Sequence, residues 1–204
     1  MPFLQTIERD EVNISFWRAT ERQNEMLSFL PDGHDYAPTL NTFKSDRRRV
    51  EWLATRCLLH HLLGPDVRID HLPSGRPFLL GSDLEISISH TDQLVAIALA
   101  PAGLEVGLDL EHNIDRAYRL MHRYLTEDEQ EALVHNPTDA AMLWSAKEAI
   151  YKLCDTEGLA FLDDIHIYKE CGQLLAELPT LSAQAVLDID YLHDCAFAWA
   201  RYLR

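Results

Sequence analysis

The chain has 204 residues, nearly half of them hydrophobic, and a formal net charge of −15 from 33 acidic and 18 basic residues. That length fits one large domain or two small lobes with a sizeable core. Such acidity argues against nonspecific binding to nucleic acid or an anionic membrane, and no apolar run approaches the roughly 20 residues that span a bilayer. The opening stretch, MPFLQTIERDEVN, has neither a basic start nor a long apolar run, so no signal peptide is expected. VNISFWRA alternates and predicts a strand. Glu21 to Leu30 predicts a short helix stopped by Pro31-Asp32-Gly33. In SDRRRVEWLATRCLLHHLLG, Val50, Leu53, Leu58, Leu59, Leu62 and Leu63 line one helical face, with Ser45 as N-cap and Gly64 as C-cap.

HLPSGRPFLLG is rich in turn residues around a lone Arg76. Strands follow at Glu85–Ser89, Leu94–Ala100 and Glu105–Glu111, the last two separated by Pro101-Ala102-Gly103. Asp115–Leu125 and Thr126–His135 predict helices, the second opened by the capping-box pattern TEDE. Asn136-Pro137 interrupts, and Thr138 or Asp139 then caps a helix running to about Cys154. A loop, DTEGLAFLDD, precedes three strand-like runs: IHIYKE, AQAVLDID and CAFAWARYL. A helix followed by a strand meander thus occurs twice. Two α+β lobes of about 100 residues each are expected, 1–104 and 105–204, and a cleft between such lobes is a common ligand site. Cys57, Cys154, Cys171 and Cys195 are scattered with no CxxC pair, so neither a zinc knuckle nor a thioredoxin-like motif is suggested. A soluble, reduced, cytoplasmic protein is the expectation.

Three features carry chemistry. In the strand EVGLDLE, residues two apart share a face, so Asp109 and Glu111 point one way while Leu108 and Leu110 point the other. Two close carboxylates repel and call for a cation, and oxygen ligands select a hard ion such as Mg²⁺. Taken alone, the pair is a weak signal and reads first as a polar edge strand facing water. In LWSAKEAIYKL, Trp144, Glu148 and Lys152 lie along one helical stripe, while Leu143, Ala146, Ile150 and Leu153 supply the buried side. Glu148 and Lys152 also fit an ordinary surface ion pair worth about 0.3–0.5 kcal/mol. Third, Lys44, Arg47, Arg48, Arg49 and Arg56 gather positive charge at one helix in an acidic chain, with Arg76 in the next turn. Arginine suits phosphate through paired hydrogen bonds, although Asp46 and Glu51 are available to neutralise it.

Taken in order, GRPFL (Gly75–Leu79), SISHT (Ser87–Thr91), VGLDLEH (Val106–His112) and WSAKEAIYKL (Trp144–Leu153) resemble the 4'-phosphopantetheinyl transferase superfamily. The likeness is to its larger single-chain branch of two pseudo-symmetric halves, and it extends from about Lys44 to Asp164. The G-x-D-x-E and W-x-x-K-E-x-x-x-K patterns are short, but the pair at this spacing is specific. The resemblance implies an α+β fold of two pseudo-symmetric lobes, each a small antiparallel sheet packed with a long helix. It further implies a Mg²⁺-dependent enzyme that moves the phosphopantetheine arm of coenzyme A to a serine of an apo carrier protein, releasing adenosine 3',5'-bisphosphate. By position, Asp109, Glu111 and Glu148 match the family's metal ligands. Glu148 also stands at the place of the base, and Lys152 at that of the group offsetting charge on the leaving phosphate. Ser89 and His90 match the pair that contacts coenzyme A phosphates, and Arg76 the basic residue near the nucleotide. Arg48, Arg56 and Lys44 are assigned to the 3'-phosphate, and Lys147 has no assigned role. A two-lobed chain could build its cleft without a partner subunit, so a monomer is expected. Carriers of this kind are acidic, so docking must use a local basic or apolar patch. Two other readings stand beside this one: a catalytically silent coenzyme A-binding relative, and a Mg²⁺-dependent phosphohydrolase.

Overall fold

The computed structural model describes residues 2–31, 36–91 and 93–203. Asp32 and Gly33 of the expected helix stop lie outside the described residues. The chain divides into two compact units, Met1–Gly103 and Leu104–Arg204, each with antiparallel strands packed against an 18-residue helix.

In the first unit the elements run β1 (Phe3–Arg9), β2 (Val12–Arg18), α1 (Gln23–Phe29), α2 (Ala37–Thr42), α3 (Asp46–Leu63), β3 (Arg68–His71), β4 (Pro77–Leu80), β5 (Glu85–His90) and β6 (Leu94–Ala100). The main sheet has the order β1-β2-β6-β5, all antiparallel, and β3 pairs with β4 in a separate hairpin. That hairpin places strands on both sides of the turn-rich stretch around Arg76. Strand β1 was not legible in the sequence. It joins β2 through Asp10 and Glu11, both at positive φ, the two-residue turn whose twist suits a hairpin.

Helix α3 starts and stops where its caps dictate. The Ser45 side chain accepts from Arg48 N, and Gly64 ends the helix at φ 82°. Its buried face, Leu53, Ala54, Cys57 and Leu58, packs with Trp17, Ile86, Val95 and Ile97 of the sheet. The arginine run at its start divides three ways. Arg47 reaches Glu51 at 2.9 Å, Arg48 reaches His90, and Arg49 donates to the carbonyls of Leu40 and Phe43 at the end of α2. Arg49 is therefore a structural clasp between two helices.

The second unit contains β7 (Gly107–Glu111), α4 (Ile114–Leu120), α5 (Glu127–Leu133), α6 (Pro137–Cys154), β8 (His166–Glu170), β9 (Gln173–Leu178), β10 (Ala183–Leu192) and β11 (Cys195–Tyr202). The sheet order is β7-β11-β10-β9-β8, antiparallel throughout. Strand β9 is additional to the sequence reading, and Asp115–Leu125 resolves into α4 and a 3₁₀ turn at Met121–Arg123.

The cap of α6 corrects the sequence reading. Asn136, not Thr138 or Asp139, is the N-cap, and its side chain accepts from the N–H of both those residues. Pro137 begins the helix instead of interrupting it, because the first-turn N–H groups have no partner within the helix and proline's fixed φ suits that position. At the other end of the preceding segment, Thr126 and Glu129 form the expected capping box.

Helix α6 lies against β7, β10 and β11. Its inner side, Leu143, Ala146, Ala149, Ile150 and Leu153, packs on Ala185, Leu187, Ala198 and Ala200. The contact with β7 is closest at Gly107, where an added Cβ would lie 1.9 Å from the carbonyl oxygen of Ala149. The first glycine of G-x-D-x-E is thus set by close backbone approach and not by an unusual φ. No helix among the described residues is long and apolar enough to cross a membrane.

Candidate functional site

The acidic strand and the charged stripe of α6 meet in the second unit. Because Gly107 faces α6, period-two alternation puts Asp109 and Glu111 on that same side. Leu108 and Leu110 point to the opposite face and are buried as well. Strand β7 is an edge strand, yet Asp109 is only 7% exposed. A water-facing polar strand would leave it open, so that simpler account of the D-x-E pair fails.

Lys152 Nζ donates to Asp109 Oδ1 at 2.7 Å and to the Leu108 carbonyl at 2.9 Å. Lys152 therefore bonds across to β7 and does not form a surface pair with Glu148. Glu111 Oε1 accepts from Asn113 N at 2.6 Å. Glu148 makes no hydrogen bond or ion pair with the described residues. Burial pushes its carboxyl up, and the neighbouring Asp109 and Glu111 add to that, with Lys152 opposing. Glu148 thus lies in the field of both Asp109 and Glu111. Cys195, at the start of β11, feels the same field: burial first, then Asp109 and Glu111, push its thiol up to about 12. It is a buried, unreactive thiol and not a nucleophile.

Among the described residues, no group of three or more His, Cys, Asp or Glu side chains is arranged to hold a metal ion. Asp109 is bonded to Lys152 and Glu111 to a backbone N–H. The donor set nonetheless fits a hard cation. It is all oxygen, it carries three acids against one lysine, and Glu148 lacks a positive partner at hydrogen-bond distance.

The raised Glu148 has a consequence for stability. A carboxyl whose pKa is higher folded than unfolded holds its proton longer in the folded state. Its contribution to stability therefore falls as pH rises from the ordinary Glu value through the raised one. Glu148→Gln is expected to stabilise the metal-free protein at neutral pH and to flatten this pH dependence. Urea unfolding at several pH values in a chelator checks this.

Trp144 is not solvated. It is half-buried, edge-on to Tyr124 at 5.0 Å and tilted on Phe161 at 5.6 Å. Lys147, one residue before Glu148, is fully enclosed. Its ammonium donates to Glu129 Oε1 at 2.7 Å and to the carbonyls of Phe161 and Ile165. The same Glu129 oxygen accepts from Ile167 N at 2.7 Å. Burial pulls the Lys147 ammonium down and Glu129 opposes that. Lys147 ties α6 to α5 and to the start of β8, a role the sequence reading left open.

In the first unit, the expected Ser89–His90 pair splits. Alternation along β5 turns His90 to the α3 side with Ile86 and Ile88, and turns Ser89, which is buried, to the other. His90 Nε2 lies 2.7 Å from Arg48 Nη1. Arg56 stacks on Trp52, 3.9 Å from its ring centroid. Burial, with Arg48 adding to it, pulls the Arg56 guanidinium down to about 10, so it remains charged at neutral pH. A cavity of about 300 Å³ opens beside it, with Tyr36, Trp52, His60, Arg68 and Ile69 among its walls. Arg76 pairs with Glu85 at 3.7 Å, and Lys44 is exposed. The structure thus joins Arg48 to His90, whereas Arg76 pairs with Glu85. Glu51, expected only as a surface acid neutralising the arginines, is instead buried and contacts Arg47, Arg48 and His90 together.

Residues 105–187 match the family model described as the 4'-phosphopantetheinyl transferase superfamily. The chain is also similar to two curated proteins named 4'-phosphopantetheinyl transferase AcpT, from Escherichia coli O157:H7 and from Escherichia coli strain K12. Each is 35% identical over 113 residues, which is 52% of this chain and 57% of the relative. The match thus spans little more than half the length of either relative.

Proposed function

We propose, from the match of residues 105–187 to the 4'-phosphopantetheinyl transferase superfamily model and the likeness to the two curated transferases, that the protein moves the phosphopantetheine arm of coenzyme A to a serine of an apo carrier protein. The observation that carries this reading is the meeting of Asp109 and Glu111 on β7 with Glu148 and Lys152 on α6. The serine oxygen forms a bond to the phosphorus nearest the pantetheine arm. The bond from that phosphorus to the bridging oxygen breaks, and adenosine 3',5'-bisphosphate leaves with the electron pair. In this reading Glu148, its carboxyl raised by burial, takes the serine proton directly or through a water. Lys152, which donates to Asp109, is suited to offset negative charge on the departing phosphate. Asp109, Glu111 and Glu148 would hold Mg²⁺, which supplies charge neutralisation at the pyrophosphate. In the first unit, Arg48, Arg56, His90, Lys44, Arg76 and Ser89 are the proposed coenzyme A contacts. They offer guanidinium, ammonium, imidazole and hydroxyl donors suited to phosphate oxygens.

The test is incubation with apo carriers, coenzyme A and Mg²⁺. Carrier mass is expected to rise by one phosphopantetheine group, with one bisphosphate released per group transferred. Bisphosphate release without carrier would favour the phosphohydrolase. No mass change across a panel of fatty-acid, polyketide, nonribosomal-peptide and lysine-pathway carriers would favour the silent relative.

A further inference from the structure

We infer that Glu51 is a positioning residue that sets both the guanidinium of Arg48 and the tautomer of His90, building one phosphate-ready unit from the three. Glu51 sits in the second turn of α3, with its side chain only 4% exposed. A carboxylate buried that deeply is costly unless its oxygens are partnered. Here Oε1 accepts from Arg47 Nε at 2.9 Å. Oε2 lies 3.4 Å from Arg48 Nη1 and 3.5 Å from His90 Nδ1.

The tautomer follows from donor chemistry. A guanidinium has only donors, and Arg48 Nη1 stands 2.7 Å from His90 Nε2. That nitrogen must accept, so it carries no proton. The ring's N–H is then on Nδ1, the nitrogen that faces Glu51. One buried acid therefore orients a cation and a neutral imidazole that are also bonded to each other. Exposure grades the same way: the Arg48 side chain is 51% exposed, His90 32% and Glu51 4%. The acid stands behind, and Arg48 is the most exposed of the three.

This inference rests on the proposed coenzyme A contacts of Arg48 and His90, and it makes a prediction that simple charge attraction reverses. Arg47 and Arg48 are positive, Glu51 is negative and His90 in this tautomer is neutral, so the cluster carries one net positive charge. Glu51→Gln raises that by one unit at nearly constant shape. If charge alone mattered, anions would bind more tightly. If Glu51 positions the donors, its loss frees Arg48 to other rotamers and offers a competing amide to both arginines. Binding then weakens, by about tenfold when an orienting partner is lost.

Two measurements on the full chain test it. The first needs no variant of Glu51: long-range proton–nitrogen correlation at about pH 8, above the ordinary imidazole range. His90, assigned by loss of its signals in His90→Gln, is expected to show a protonated Nδ1 and a bare Nε2. A proton on Nε2 would overturn the inference outright, and this holds even if Glu51→Gln were to fold poorly. The second is calorimetric titration with adenosine 3',5'-bisphosphate. Glu51→Gln and Arg48→Ala are each expected to weaken binding about tenfold, with His90 in Glu51→Gln shifting toward the other tautomer. Equal or tighter binding by Glu51→Gln, with Arg48→Ala still weakened, would overturn the positioning role and leave the phosphate contact standing. Unchanged binding in Arg48→Ala would remove the phosphate contact itself.

Discussion

Asp109→Asn is expected to abolish the proposed transfer, by about 10³-fold or more, while the protein stays folded. The two halves of that expectation have separate causes. Charge neutralisation at a pyrophosphate is worth several kcal/mol in the transition state, and each factor of ten corresponds to about 1.36 kcal/mol. Removing the charge of one of three acids that would hold the cation removes about three such factors. Stability has less at stake. The Asp109–Lys152 pair at 2.7 Å has a lysine that is 31% exposed, so solvent screens it and its loss costs about 1 kcal/mol or less. Against that, Asp109 is one of the charges that disfavour an ionised Glu148, so asparagine relieves a repulsion. Asparagine also keeps the shape of a side chain that is nearly enclosed between β7 and α6. Carrier mass analysis gives the activity and a thermal melt gives the fold. Full transfer by this variant in Mg²⁺ would remove the metal assignment.

The sequence could show this acid set because both of its elements have strict periods. Alternation along GLDLE pairs Asp109 with Glu111, and the helical stripe aligns Glu148 with Lys152. It could not show that Lys152 pairs with β7 rather than with Glu148, because that depends on how close the strand comes, and the closeness is set by Gly107. Caps were legible where a single side chain does the work, as at Ser45 and Thr126. Asn136 was missed because proline after it reads as a break, although proline suits the first helical position. Strand β1 was missed because its residues are mostly half-exposed or exposed and do not alternate cleanly. The arginine run shows the limit most plainly. Arg47, Arg48 and Arg49 are chemically identical, and only their partners separate a brace on Glu51, a bond to His90 and a clasp on two carbonyls.

Lys147→Met is expected to cost about 3–5 kcal/mol of stability, the usual penalty when one member of a buried ion pair is removed and the other is left uncompensated. Lys147 is 0% exposed and Glu129 is 5% exposed, so no water replaces what is lost. Methionine fills the space but donates nothing, leaving the carbonyls of Phe161 and Ile165 and one side of Glu129 without their cation. A signal for this existed in the sequence. Leu143, Ala146, Lys147 and Ile150 are spaced as one helical stripe, so periodicity placed a lysine among core positions. What periodicity could not supply was the acid 18 positions earlier that makes the burial tolerable. The double variant Lys147→Met with Glu129→Gln is expected to lose less than the sum of the single losses, because removing both charges leaves no isolated ion; coupling of about 0.5–3 kcal/mol is the usual range for contacting groups. Urea unfolding of the four proteins measures it. A single-variant loss below about 1 kcal/mol would mean the pair does not anchor α6. The consequence for chemistry is direct: Glu148 is the next residue and Lys152 lies just over one turn further on, so a loosened α6 would misplace both. Activity in Lys147→Met is therefore expected to fall even at temperatures where the protein remains folded.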